Sequence, residues 1–405
     1  MHVSAPVVES LDSILPDEPL LMMGAGPVPI PAKVAAANSI VINHLGGAML
    51  RIIEQVKAMS RYVFQTESLH ILGVAGPGSA AMEMAIANLI EPDDVVLSVS
   101  NGFFSDRLAD MSERVGGNVI CLKIEEGQAA DPQLVEAAII SHHPKILTIV
   151  QGETSNTVCN AALPAICLAA KIANCLVIVD AVCTLSAMPL NMDAWGIDAV
   201  ITGGQKGLSC IPGVSLVAFS NNAWDKITTR SDTLHHWCLD AKLADKFWYQ
   251  SSYHYTAPVS GIMAIHEALR LVCQESLPSR FDRHLKCSLA LQAGILGLGL
   301  SLSVDKAARL NSVIGIHVTD ELNQKDILKH ISREYQVEIS GSFGLDIIRI
   351  GQMGEQCRVH NIFRTLHALG STIKELGGAA NLPQGVAMFE RTLQEYKPVF
   401  SSLNV

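Results

Sequence analysis

Cys175-Leu176-Val177-Ile178-Val179-Asp180 is an apolar run that stops on a carboxylate, and Ala199-Val200-Ile201-Thr202-Gly203-Gly204-Gln205-Lys206 is a second run that stops on a lysine. Both runs are short and apolar on each face, the pattern of strands buried inside a sheet. Working outward, further strands are expected at Val95–Val99, Val119–Ile124, Ile146–Val150 and Val214–Phe219. Between them the periodicity predicts helices at Ala80–Leu89, Ser105–Val115, Pro132–Ser141 and Leu163–Ala173. Apolar strands alternating with helices give an α/β fold with a mainly parallel sheet covered on both sides. Such sheets bind ligands beyond the carboxyl ends of their strands. The polar residues just past each strand are therefore the informative ones: Ser100-Asn101-Gly102-Phe103-Phe104, Gln151-Gly152-Glu153-Thr154-Ser155, Asp180, and Thr202 to Lys206.

Composition narrows the function classes. The chain has 405 residues, 29 Lys+Arg against 39 Asp+Glu, and a net charge of −10. No basic block offers nucleic acid or an anionic membrane a surface. Mean hydropathy is +0.30, yet the apolar runs are far shorter than the roughly 20 residues of a membrane-spanning helix. Met1–Pro19 carries acids where a signal peptide has a basic region, and the C-terminal Ser-Leu-Asn-Val is not of the Ser-Lys-Leu type. Ten cysteines without a CxxC pair point to reduced thiols and a cytoplasmic protein. The histidines form no metal-binding frame, so no metal is expected. Residues 281–405 read as a smaller α+β domain, with strands at Ser312–Val318 and Ile347–Ile350 and helices at Leu322–Tyr335 and Asn361–Leu376. The larger domain then spans 26–280. Residues 1–25 fit neither and are expected to form an arm across a partner subunit.

Three features carry the chemistry. Gly76-Pro77-Gly78-Ser79 opens a helix, where backbone N–H groups and the helix dipole favour an anion. Taken alone it reads as an ordinary turn, and it matches neither a Walker A loop nor the GxGxxG pattern. Asp180 ends a buried strand, where a solvated strand end or helix cap is the plain alternative to a partner for a heterocyclic nitrogen. Lys206 sits between an apolar strand and a Gly/Pro-rich turn, an unusual place for a surface lysine; a buried one has a lowered pKa and forms Schiff bases. Together these groups suit pyridoxal 5′-phosphate, which takes a lysine Schiff base and an acidic partner for its ring nitrogen.

At this point the sequence resembles the class V, fold-type I aminotransferases, and within them the alanine–glyoxylate and serine–pyruvate group. The matching segments are Leu20-Met-Met-Gly-Ala-Gly-Pro, Arg61-Tyr-Val-Phe-Gln-Thr, Gly76-Pro-Gly-Ser, Asn101-Gly-Phe-Phe, Gly152-Glu-Thr-Ser, Val179-Asp-Ala-Val, Gly203-Gly-Gln-Lys, Tyr253-His-Tyr-Thr-Ala-Pro and Arg349-Ile-Gly, in that order. The resemblance implies a seven-stranded, mainly parallel sheet in the large domain and a homodimer with shared sites. It implies that Lys206 forms the cofactor's Schiff base and shuttles the proton, while Asp180 keeps the ring nitrogen protonated. Phe104 would stack on the ring, with Phe103 beside it in the core. Val182 would pack on the opposite face, and Ser155 would meet the ring hydroxyl. Gly78, Ser79 and Gln205 would hold the phosphate, joined by Tyr253 and Thr256 reaching over from the partner. Arg349 would fork the substrate carboxylate, near Gly26, Asn43 and His44 at the entrance.

Departures from the family pattern, among them Pro77, Asn156-Thr157, Cys183 and Gly204, bear on the substrate. So does the unmatched segment Ser231–Lys246. The resemblance implies transfer from an alanine- or serine-type donor to glyoxylate or pyruvate. Ureidoglycine–glyoxylate and pyridoxamine–pyruvate transamination are alternatives, and a lyase or cysteine desulfurase a more distant one, since Gln205 stands where desulfurases place His.

Overall fold

A computed structural model describes residues 3–318 and 322–404. Seven strands make the central sheet: β1 (Ile71–Ala75), β2 (Val95–Ser100), β3 (Asn118–Lys123), β4 (Ile146–Val150), β5 (Leu176–Asp180), β6 (Ala199–Gly203) and β7 (Val214–Phe219). Their spatial order is β1-β7-β6-β5-β4-β2-β3. Only β7 is reversed, pairing antiparallel with β1 and β6, while the ladders from β6 through β5, β4 and β2 to β3 are parallel. All other strands therefore deliver their carboxyl ends to one edge.

The sheet is buried because its strands are apolar throughout: every residue of β4, β6 and β7 is buried. Strand β1, which the sequence reading did not single out, contains Gly73. A Cβ there would lie 2.1 Å from Cζ2 of the buried Trp248, so the missing side chain is the indole's seat. Strands β5 and β6, expected from the apolar cores Leu176–Val179 and Ala199–Ile201, extend to take in Asp180 and Gly203, because the ladder continues opposite Val150 and Ser215. Helix α1 (Gly78–Leu89) packs on β6 and β7, and helix α2 (Phe103–Arg114) on β2.

A second core lies toward the C-terminus. The antiparallel pair β8 (Val313–His317) and β9 (Ile347–Gly351) is covered by helices α3 (Leu277–Gly297), α4 (Val359–Glu375) and α5 (Leu382–Glu395). Leu291, Ile295, Ile316, Ile350, Leu366 and Phe389 fill it. The N-terminal arm is not uniform. Residues 3–19 are exposed, but Leu21–Met22 pairs in parallel with Val337–Glu338 and Met23 is buried in this second core. Met1 and His2 of the arm, and Val405 of the C-terminus, lie outside the described residues.

The two cores are stitched together beside β6. Arg280 donates to the Gly207 carbonyl and, with Arg283, pairs with Glu275. Arg283 also donates to the Gly354 and Cys357 carbonyls. Burial raises the cost of breaking such pairs, so the loop after Lys206 and the turn after β9 are held to one helix.

Overpacking a filled core costs about 1–3 kcal/mol. Gly73→Ala should therefore lower the unfolding free energy by that amount, read as a lower urea midpoint at unchanged slope, and an unchanged midpoint would show that Trp248 can move aside.

Candidate active site

Five strand ends converge on the carboxyl edge of the sheet. Strand β5 ends in Asp180, which is buried and accepts one hydrogen bond, from the Val182 N–H at 2.7 Å. Desolvation pushes its carboxyl up to about 7, helped by the nearby Glu153 and opposed by Lys206 and Arg107. Just past β6, Lys206 directs its ammonium at the Ala25 carbonyl. Burial lowers its pKa, as does the neighbouring Arg349 guanidinium, while Cys183 and Asp180 act the other way. Among the described residues no carboxylate lies within ion-pairing distance of it. Gly26 closes one side: a Cβ there would sit 2.7 Å from Lys206 Nζ, and its φ of +101° is left-handed territory.

The start of helix α1 forms a small concavity. A Cβ on Gly78 would meet Val182 Cγ2 at 2.9 Å, and one on Gly203 would meet Gln205 Oε1 at 2.8 Å and the Gly78 Cα at 3.4 Å. The glycines thus let backbone N–H groups and the Gln205 amide come together. Gln205 Oε1 is buried without a hydrogen-bond partner. Arg107, one turn into α2, donates to Ser79 Oγ at 2.9 Å and packs over the rings of Phe103 and Phe104. This places a cation beside the helix N-terminus, where both favour an anion.

Phe104 is half-buried on α2, while Phe103 corrects its expected place in the core. It is 43% exposed and stacks on Phe343 at 4.5 Å. The cause is local: the extended Gly102 backbone turns α2 so that Ser105, not Phe103, faces inward. Ser155 donates to Glu153 and accepts from the Phe103 N–H. On β9, Arg349 is buried, with Nε on the Gly341 carbonyl and Nη1 on the Thr154 carbonyl. Desolvation brings its pKa down to about 10, with Glu153 opposing. Among the described residues its Nη2 makes no hydrogen bond, so one arm of the fork is open to a carboxylate. A cleft of about 320 Å³ lies at the start of α2, lined by Asn101, Phe103, Asp106, Lys123, Ser155 and Phe343; Arg349, Lys206 and Asp180 are not part of its wall.

Lys206, Asp180, Val182, Gly78, Ser79, Gln205, Phe104, Ser155, Gly26 and Arg349 are thus brought to one edge. Among the described residues no hydrogen bond or ring contact joins Asn43, His44, Tyr253 or Thr256 to that set. Asn43 is spent on a turn, accepting from the Leu45 N–H. His44 lies 5.9 Å from Tyr253 and has a buried Nε2 without a partner. Tyr253 and Thr256 are exposed. The sequence reading missed Arg107, whose helical spacing looks like any surface arginine, and passed over Glu153 within the quoted Gly152-Glu-Thr-Ser.

Fold and site together define an α/β enzyme whose reactive groups line the carboxyl edge of a parallel sheet. Comparison with known proteins gives the class its family. Residues 32–359 match the family model "Aminotransferase class-V". The alanine–glyoxylate aminotransferase of Oryctolagus cuniculus is 33% identical over 87% of this chain and 92% of its own. Among solved structures, the ureidoglycine–glyoxylate aminotransferase of Bacillus subtilis is 30% identical with a TM-score of 0.91, covering 94% of this chain and all of that one. The alanine–glyoxylate aminotransferase of Nostoc sp. is 33% identical, with a TM-score of 0.85 over 91% of this chain and 100% of its own. The chain belongs to the class-V aminotransferases, a family of pyridoxal-phosphate enzymes, and is a transaminase.

Because Asp180 titrates near 7 when folded and near 3.8 otherwise, the folded chain keeps a proton that the unfolded chain has lost between those values. Its contribution to stability in cofactor-free protein is therefore full below about 4 and lost as pH rises through 7. The stability difference between wild type and Asp180→Asn should shift against wild type over that window, and a pH-independent difference would contradict the burial argument.

Proposed function

We propose that this chain holds pyridoxal 5′-phosphate through Lys206 and moves the amino group of a small amino acid, of the alanine or serine type, to glyoxylate or pyruvate. The observation that carries the reading is the convergence of a desolvated lysine, a buried acid and an open arginine fork beside a glycine-built cradle at a helix N-terminus, with Arg107 next to it. The residues fit the cofactor. Asp180, held up near 7 with no cation bonded to it, suits a protonated ring nitrogen that would draw it back down. Gly78, Ser79 and Arg107 suit a phosphate dianion, and Gln205 does so through its amide NH2.

When bound, pyridoxal phosphate supplies an electrophilic carbonyl carbon for the amine and a ring that takes up electrons released at Cα. The chain does the rest. Lys206, whose pKa burial lowers, is placed to accept the Cα proton and return it. Asp180 holds a proton on the ring nitrogen. Phe104 and Val182 would confine the ring. Arg349 grips the substrate carboxylate with the free side of its fork, which sets the Cα–H bond toward Lys206.

The named activities of the rabbit and Nostoc relatives support alanine and glyoxylate as substrates. A second reading, ureidoglycine as the donor, is favoured by the match over the full length of the Bacillus subtilis structure. The desulfurase alternative lacks support, because Cys357 is buried and its thiol is pushed well above the ordinary range by burial and by Cys287. We also infer a homodimer. Phe343, stacked on Phe103 beside the site, and, apart from it, Tyr253 and Val41 are exposed apolar side chains, surface of the kind a second subunit covers. Free thiols, most of them buried, and the absence among the described residues of a helix long and apolar enough to cross a membrane support a cytoplasmic setting.

The test is a half-reaction scan. Protein loaded with pyridoxal phosphate is mixed with single donors, and its visible absorption is followed. Alanine or serine should bleach the band and glyoxylate should restore it. Bleaching by ureidoglycine alone would move the donor, and none at all would contradict transamination. Arg349→Lys should raise KM for both carboxylate substrates by roughly tenfold or more, since losing a charge-assisted fork costs about 1.5–3 kcal/mol. Unchanged KM values would place the carboxylates elsewhere.

A further inference from the structure

Glu153 is a fully buried acid, 0% exposed, and no mechanistic step above uses it. Four donors converge on its carboxylate: the N–H groups of Phe104 (3.1 Å), Ser105 (2.9 Å) and Ser155 (3.1 Å), and the Ser155 hydroxyl at 2.6 Å. Among the described residues it has no cation within ion-pairing distance. The N-terminus of α2 answers its charge instead. The approach is tight enough to dictate a neighbour, since a Cβ on Gly102 would fall 2.4 Å from Glu153 Cγ and 2.8 Å from Ser155 Oγ.

The Ser155 hydroxyl has one proton and two lone pairs. The proton is given to Glu153, and one lone pair takes the Phe103 N–H at 3.1 Å. A single lone pair is left.

We propose that Glu153 is a positioning residue of the cofactor site, which anchors Phe104 through the start of α2 and fixes Ser155 as a hydrogen-bond acceptor toward the ring hydroxyl. The proposal rests on the pyridoxal-phosphate reading above. With Ser155 able only to accept, the ring oxygen must donate, so the site favours its protonated form. The negative charge of Glu153 acts in the same direction, and the titratable groups it faces across the site are Asp180, Arg349 and the Cys183 thiol.

The test uses full-length protein loaded with pyridoxal phosphate and reads the pH midpoint of its visible absorption band, together with the cofactor's dissociation constant. Glu153→Gln should lower the midpoint by about one pH unit, the size of effect a nearby charge exerts, and weaken cofactor binding severalfold. Ser155→Ala should lower the midpoint as well, and the double variant should go no lower than Glu153→Gln alone, because the two act as one unit. Additive shifts, or an unchanged midpoint in Glu153→Gln, would overturn the proposal. If Glu153→Gln does not fold, Ser155→Ala decides by itself: an unmoved midpoint overturns it. A wild-type protein that takes up no cofactor would instead overturn the reading on which the proposal stands.

Discussion

The buried carboxyl of Asp180 is the constraint around which the rest of the site is arranged. It ends a strand with no other polar side chain, accepts one backbone hydrogen bond, and is pushed up to about 7 by desolvation. A buried acid so poorly provided for is costly unless a partner arrives. The cations nearest to it, Lys206 and Arg107, are directed elsewhere, to the Ala25 carbonyl and to Ser79. A second acid, Glu153, makes matters worse for it. The edge of the sheet thus has an unmet demand for one positive charge at a fixed place, which a protonated ring nitrogen meets.

Close approach makes that demand usable. Gly26 lets the chain lie against Lys206, Gly78 lets helix α1 reach Val182, and Gly102 lets α2 close on Glu153. In each case a methyl group would fall within 3 Å of a side-chain atom, so the backbone itself forms the walls. The second core matters to the chemistry for the same reason. Arg349 belongs to β9, yet its guanidinium is held by the Thr154 carbonyl, in the segment just past β4. The Glu275, Arg280 and Arg283 network keeps both units in register.

Much of this was legible in the sequence because the sheet writes its own pattern. The runs ending at Asp180 and Lys206 are apolar, and their terminal polar residues fall at the carboxyl edge by topology. The seven-stranded sheet, implied by the family resemblance, is present. What escaped notice depends on three-dimensional neighbours. Phe103 and Phe104 are adjacent and chemically alike; the direction of the α2 N-terminus decides which one faces the site, and that direction comes from Gly102 and Glu153. Arg107 has helix-surface spacing, and only the nearness of α1 gives it Ser79. Strand β1 escaped because Gly73 interrupts its apolar pattern, and only the indole of Trp248 explains the glycine.

The central claim is that Lys206 is the residue to which the cofactor is joined. Borohydride reduction of the protein loaded with pyridoxal phosphate, followed by digestion and mass spectrometry, tests it directly. The account predicts a pyridoxyl group on Lys206, with Lys206→Ala carrying none. Modification of another lysine, or of none, would contradict it.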